Sequence, residues 1–175
     1  WRLIVVDDGY PDDSIPGWFD SLGDTRVTYM RNETNLGANG NYRKCLTFVE
    51  NPLVQVMGAD DVMLPNYVEW LVRAARRCPE ASIFQPGVFV IDEHGAPSHT
   101  MVERVKGFYM PPRRVPQLLR GEALAVSILR GDWLYFPSLA WRAETILGIG
   151  FREGYDVVQD VALVCDVAMQ GGGLL

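Results

Sequence analysis

Cysteine is scarce in this 175-residue chain: Cys45, Cys78 and Cys165 are odd in number and far apart. That spacing excludes a disulfide framework and a Cys-x-x-Cys metal knuckle, and makes a reducing, cytoplasmic setting the expectation. Long apolar runs are missing too, since none approaches the roughly 18 residues of a membrane span. The opening Trp1-Arg2-Leu3-Ile4 lacks the charged n-region of a secretory signal. It starts without Met and directly in strand-like sequence, so a fragment of a longer chain is expected. Positive charge is in deficit, with 16 Lys and Arg against 22 Asp and Glu and a net charge of −6. That balance speaks against a nucleic-acid binder held by phosphate neutralisation. Internal repeats and low-complexity tracts are absent.

What is present is globular. The 48% hydrophobic and 22% charged content fits an ordinary folded domain rather than a disordered chain. A chain of this length is about one domain and needs no staples to build a core. Residues 2–6 form a short β-branched apolar run that ends on Asp7-Asp8-Gly9, which predicts a buried strand delivering two carboxylates into a loop. A loop with room for a short helix follows, then a strand over 26–31. A turn-rich stretch over 32–40 opens a helix over 41–49. A third strand over 53–57 ends at Gly58-Ala59-Asp60-Asp61. Pro65 suits a first helical turn, and Val68, Leu71, Val72 and Ala75 recur at helical spacing, so 65–77 reads as an amphipathic helix on a sheet. Another strand or two lie within 81–91. Residues 93–120 read as a long irregular stretch, locally basic through Arg104, Lys106, Arg113, Arg114 and Arg120. A helix over 115–129, a strand-like run over 133–141 and a helix over 158–169 complete the pattern. Strands alternating with helices predict an α/β domain with a mainly parallel sheet, in which ligands sit at the carboxyl ends of strands.

Both acidic pairs fall at such strand ends. Asp7-Asp8 could accept hydrogen bonds from a nucleobase or ribose, or simply form an Asp-Gly turn. Asp60-Asp61 could hold a hard cation, because Mg²⁺ or Mn²⁺ is typically bound by one or two carboxylates plus substrate phosphates; it could equally be a turn before a helix. Asn35-Leu36-Gly37-Ala38-Asn39-Gly40-Asn41 offers backbone N–H groups to an anion ahead of a helix, and is also ordinary turn and capping sequence. Asp160, near the start of the last helix, is favoured there by the helix dipole or serves as a general base.

The order of these features resembles glycosyltransferase family 2: VVDDG after a strand, NLGANGN into a helix, ADD then VMLP, FPSLAWR, and a late QD before a helix ending in MQGGG. The resemblance runs from about Leu3 to Gly171. It implies the GT-A fold, an α/β nucleotide-binding sandwich with a mainly parallel central sheet flanked by helices, whose first strand lies outside this sequence. It further implies one domain over 1–175, with residues 1–92 on the nucleotide-sugar side and 93–175 on the acceptor side. The implied reaction is inverting transfer, hexosyl or related, from a nucleotide diphosphate sugar to a carbohydrate, lipid-linked or other hydroxyl acceptor. The setting it implies is polysaccharide or cell-wall synthesis in the cytoplasm or at the inner face of the membrane. By the same resemblance Asp7 and Asp8 contact the donor nucleoside, Asn35, Gly37 and Asn41 form the loop beside it, Asp60 binds Mn²⁺ or Mg²⁺ with Asp61 in support, and Asp160 is the catalytic base. Trp141-Arg142 resembles the aromatic-basic step on the acceptor side, and arginines of 104–120 would touch the leaving group or fold over the donor. Gly58 and Gln159 depart from the acidic residues of the family pattern. A non-catalytic nucleotide-sugar-binding module is therefore the main alternative, and a phosphorylation receiver domain, suggested by the early acidic pair and Asp61 four residues before Pro65, is another.

Overall fold

The computed structural model describes residues 1–98, 100–111, 116–155 and 157–175, apart from the side chain of Glu103. Arg113, Arg114 and the predicted helix start at Val115 lie outside those residues. Strands β1 (Leu3–Asp7) and β2 (Val27–Arg31), joined through the short helix α1 (Ile15–Ser21), pair in parallel with Leu3 opposite Val27 and Asp7 opposite Arg31. The next elements are α2 (Gly37–Leu46), β3 (Leu53–Gln55), α3 (Tyr67–Arg77), β4 (Ile83–Phe84), α4 (Met101–Tyr109), β5 (Leu119–Arg120) and α5 (Gly121–Gly131). A 3₁₀ turn at Phe136–Ser138, β6 (Ala140–Arg142), α6 (Ala143–Ile149), α7 (Gln159–Met169) and β7 (Gly173–Leu174) follow.

The second sheet has the order β3-β6-β4-β7-β5. It is mixed rather than mainly parallel: β6 runs antiparallel to both its neighbours and β5 antiparallel to β7, whereas β4 and β7 are parallel. The reason is local. Residues 137–143 enter β6 from a 3₁₀ turn and leave directly into α6, so the strand inserts between β3 and β4 without the crossover a parallel neighbour needs. Strands β3, β4 and β7 still point the same way, and their carboxyl ends share one edge.

Side-chain alternation sorts the core. The paired Ile83 and Trp141 face α5, α6 and α7, meeting Leu124, Ile128, Ile146, Leu163, Val164 and Val167. The paired Phe84 and Ala140 face the other way onto Leu71 and Ala74 of α3. The sheet is thus the middle of three layers, and each fully buried large apolar side chain contributes about 1.5–3 kcal/mol. Helix α4, unexpected in the supposedly irregular 93–120 stretch, fits between Pro97 and Pro111, where no proline interrupts the backbone ladder.

Candidate active site

The carboxyl end of β1 delivers Asp7 and Asp8, and the two carboxylates have different surroundings. The Asp7 Oδ1 accepts from the amides of Gly9 (2.9 Å) and Tyr10 (2.8 Å), and its Oδ2 accepts from the Tyr29 hydroxyl (2.5 Å) with Arg31 3.7 Å away. Burial pushes this carboxyl up, yet the Tyr29 hydroxyl, the Tyr10 and Gly9 amides and Arg31 together hold it below its ordinary value. Its side chain is only 7% exposed. Asp8 presents Oδ1 to Asn32 Nδ2 (2.7 Å) and to the Leu36 amide (2.8 Å), while Asn35 Nδ2 donates to its main-chain oxygen (2.9 Å). Its Oδ2 has no hydrogen bond among the described residues.

The loop before α2 is built to hold Asp8. Asn35 Oδ1 accepts from the Gly37 amide (2.9 Å), and Gly37 sits at φ +72°, a conformation L side chains rarely adopt. Asn41, one turn into α2, donates from Nδ2 to Val6 O on β1 (2.9 Å) and accepts at Oδ1 from Asn32 (3.0 Å). Buried Asn32 in turn accepts from Lys44 Nζ (2.6 Å). The structure therefore brings Asp7, Asp8, Asn35, Gly37 and Asn41 together. Tyr29, Arg31, Asn32 and Lys44 were not legible as site residues; the available signal was that Lys44 follows Asn41 by three positions on the same helical stripe.

At the carboxyl end of β3 the acidic pair folds back on position 58. A Cβ on Gly58 would lie 2.8 Å from Asp60 Oδ1 and 2.7 Å from Asp61 Oδ2, so both oxygens occupy the space a side chain would fill. Partial burial and then the charge of Asp60 raise the Asp61 carboxyl, against a hydrogen bond from the Gly58 backbone. Among the described residues, no group of three or more His, Cys, Asp and Glu could hold a metal ion. Two converging carboxylates with no attached cation nevertheless suit Mg²⁺ or Mn²⁺, which take one or two carboxylates and complete their shell with phosphate and water.

Asp160 is the second residue of α7, half-buried, with no hydrogen bond among the described residues. Tyr42 lies one turn further along α2 than Asn39. Its ring packs 5.4 Å from Phe136 and 5.5 Å from Phe151. Burial, followed by the charges of Asp160, Asp60 and Asp61, raises its phenol. Neighbouring Gln159 keeps a buried Oε1 without a partner.

The remaining expected residues are elsewhere. Trp141 is 0% exposed in the central layer. The Arg142 guanidinium donates to Ala81 O (2.8 Å), Ala75 O (3.2 Å) and Cys78 O (3.4 Å), closing the carboxyl end of α3. The structure thus encloses Trp141 in an interior strand and turns the Arg142 guanidinium toward main-chain oxygens, away from Asp8 and Asp60. Lys106 donates to Leu134 O (2.6 Å) and Arg120 to Glu80 O (2.9 Å).

Residues 1–135 match the profile described as Glycosyl transferase family 2. The chain belongs to that family. The membership closes the receiver-domain alternative, which the antiparallel β6 between β3 and β4 also fails to fit. Uncharacterized protein MT1568 of Mycobacterium tuberculosis is 36% identical over 75 residues, which are 42% of this chain and 23% of that protein. Uncharacterized glycosyltransferase MJ1057 of Methanocaldococcus jannaschii is 26% identical over 72 residues, 41% of this chain and 25% of that one. Among solved structures, S. aureus TarS 1–349 has a TM-score of 0.66 at 14% identity, covering 99% of this chain and 48% of TarS. Its complex with UDP-GlcNAc gives a TM-score of 0.65 at 13% identity, with 99% and 46% covered. The fold of this family member is accordingly the α/β GT-A sandwich. The chain spans about a quarter of the curated relatives it matches and under half of TarS. No helix among the described residues is long and apolar enough to cross a membrane.

Proposed function

We propose that the protein transfers a sugar from a nucleotide diphosphate sugar to an acceptor hydroxyl with inversion at the anomeric carbon. The observation that carries this is the pair of acidic strand ends: Asp8 held by Asn32, Asn35 and the Leu36 amide with no hydrogen bond to its Oδ2 among the described residues, and Asp60 Oδ1 and Asp61 Oδ2 folded together over Gly58. In this reading Asp8 accepts a hydrogen bond from the donor nucleoside, and Asp7 holds the loop that presents it. Asn35, Gly37 and Asn41 shape the wall of the nucleoside site. Asp60 and Asp61 hold the divalent cation, which when bound offsets negative charge on the leaving diphosphate. Asp160, with no side-chain hydrogen bond to break among the described residues, takes the proton of the acceptor hydroxyl while that oxygen attacks from the face opposite the diphosphate. Residues 1–92 then form the donor side and 93–175 the acceptor side, and polysaccharide or cell-wall acceptors are the first class to try.

The UDP-GlcNAc bound by TarS makes UDP sugars the first donors to test. A thermal-shift screen of UDP, GDP, dTDP and CDP sugars with and without Mn²⁺, followed by turnover of a radiolabelled donor, tests the proposal. Stabilisation by a nucleotide sugar together with turnover supports it. Binding without turnover would establish the non-catalytic module, the reading that Gly58 and Gln159 favour, and no binding by any of these donors would sink both.

A further inference from the structure

One stripe of α2 grips the segment that leads into the Asp160 helix. Asn39, Tyr42 and Arg43 stand at i, i+3 and i+4, hence on one face. Asn39, 5% exposed, donates from Nδ2 to Arg152 O (2.7 Å) and Tyr155 O (3.0 Å). The Tyr42 ring lies 5.5 Å from that of Phe151, and Arg43 pairs with Glu153 at 2.5 Å. Residues 151–155 have no regular structure, so these ties, rather than a backbone ladder, set their shape. The segment is also tied forward: Arg152 forms a two-pronged contact with Asp166 of α7, at 2.7 Å and 2.5 Å. Meanwhile the start of α2 holds Asp8 through the Leu36 amide, and Asn41 holds Val6. A single helix therefore spans from the donor-side carboxylate to the lead-in of Asp160.

We infer that Asn39 is a positioning residue that fixes Asp160 relative to the donor site by clasping Arg152 and Tyr155 to α2. The inference rests on the proposed function for its consequence, though the clasp itself stands on contacts alone. Among the described residues the buried Asn39 Oδ1 has no hydrogen-bond partner, a cost that an apolar residue of similar size would avoid. What the amide supplies instead is two donors aimed at the loop. A general base must lie within hydrogen-bond reach of its proton, so a lead-in freed to shift by about 1 Å is expected to slow the chemistry up to roughly 100-fold while leaving the donor loop in place.

The test uses the intact protein and four variants: Asn39→Ala, Arg43→Glu, Glu153→Arg and the last two combined. Three quantities are read on each: amide hydrogen exchange over 151–155 and over 3–8, UDP-GlcNAc affinity by calorimetry, and hydrolysis of UDP-GlcNAc with water as acceptor. For Asn39→Ala the expected result is faster exchange over 151–155 only, donor affinity within about threefold, and hydrolysis slowed about 10- to 100-fold. The exposed single charge reversals are expected to slow hydrolysis a few-fold, and the double reversal to restore it; this arm decides the matter if Asn39→Ala fails to fold. Unchanged exchange, loss of donor affinity in step with rate, or a double reversal no better than the singles overturns the inference. A parent protein that neither binds nor hydrolyses any of the screened donors overturns the proposed function instead, while the exchange data still decide the clasp.

Discussion

At the scale of single residues, adjacent aspartates with the same sequence signature have opposite assignments. Asp7 has both oxygens occupied by Gly9, Tyr10 and Tyr29, with Arg31 nearby, whereas Asp8 has one oxygen without a hydrogen bond among the described residues. Asp7→Asn is therefore expected to destabilise the fold by about 1.5–3 kcal/mol, the usual worth of hydrogen bonds to a charged group, with nucleotide affinity changed little. Asp8→Asn is expected to weaken nucleotide binding by a similar amount and the fold by less. Denaturant titration and calorimetry on both variants check this, and an affinity loss confined to Asp7→Asn would reverse the assignment. The lowered Asp7 carboxyl also fixes a pH dependence. Its stabilisation is complete above the ordinary carboxylate value of about 4 and is lost as pH falls through its lower folded value. The acid limb of the stability profile below about pH 4 should accordingly be shallower in Asp7→Asn than in the parent protein.

At the scale of elements, small residues do work that a sequence does not advertise. Gly58 reads in sequence as a missing carboxylate, but its lack of Cβ is what lets Asp60 and Asp61 converge. Gly58→Ala puts a methyl against the ends of two flexible side chains, so stability is expected to stay within about 0.5 kcal/mol, as for most surface changes. The carboxylates must swing apart, and Mn²⁺-dependent stabilisation by a nucleotide diphosphate should fall; a Mn²⁺ titration monitored by thermal shift reads both effects. Gly172 is the opposite case. A Cβ there would sit 2.4 Å from Val167 and 2.9 Å from its backbone oxygen, so Gly172→Ala is expected to cost about 1–3 kcal/mol through overpacking by lifting β7 from between β4 and β5. The helical face of α3 and the acidic strand ends were legible because both follow from spacing along one segment. The burial of Trp141 is not legible in sequence, because an aromatic-basic pair in an interior strand looks, locally, like one at a mouth. The prolines that flank α4 suggest a loop rather than a helix, and the antiparallel direction of β6 is set by partners far away in the chain, which local spacing does not reveal.

At the scale of the whole molecule, two sheets and the helix between them bring together groups separated by most of the sequence. Asp8, Asp60 and Asp160 share nothing local, yet Leu36 at the N-cap of α2 holds Asp8, Asn39 of α2 holds the segment before α7, and burial followed by the charges of Asp160 and Asp60 raises the phenol of Tyr42 on the same helix. Such an assembly predicts that donor binding and chemistry can be separated by mutation. Asp160 lies beyond the residues that match the family profile, so its assignment depends on this geometry. Asp160→Asn keeps size and most hydrogen-bonding capacity but removes proton affinity, and among the described residues Asp160 has no side-chain hydrogen bond that the change would break. If it is the base, donor affinity should survive while transfer falls about 10²–10⁴-fold. If it only complements the α7 dipole, the same change costs about 0.3–1 kcal/mol of stability and leaves transfer near the parent rate. Measuring nucleotide-sugar affinity, unfolding free energy and transfer rate on that one variant separates these outcomes. Parallel loss of affinity and rate would move Asp160 from the base to the donor site, because a group needed only to accept a proton has no part in holding the nucleotide.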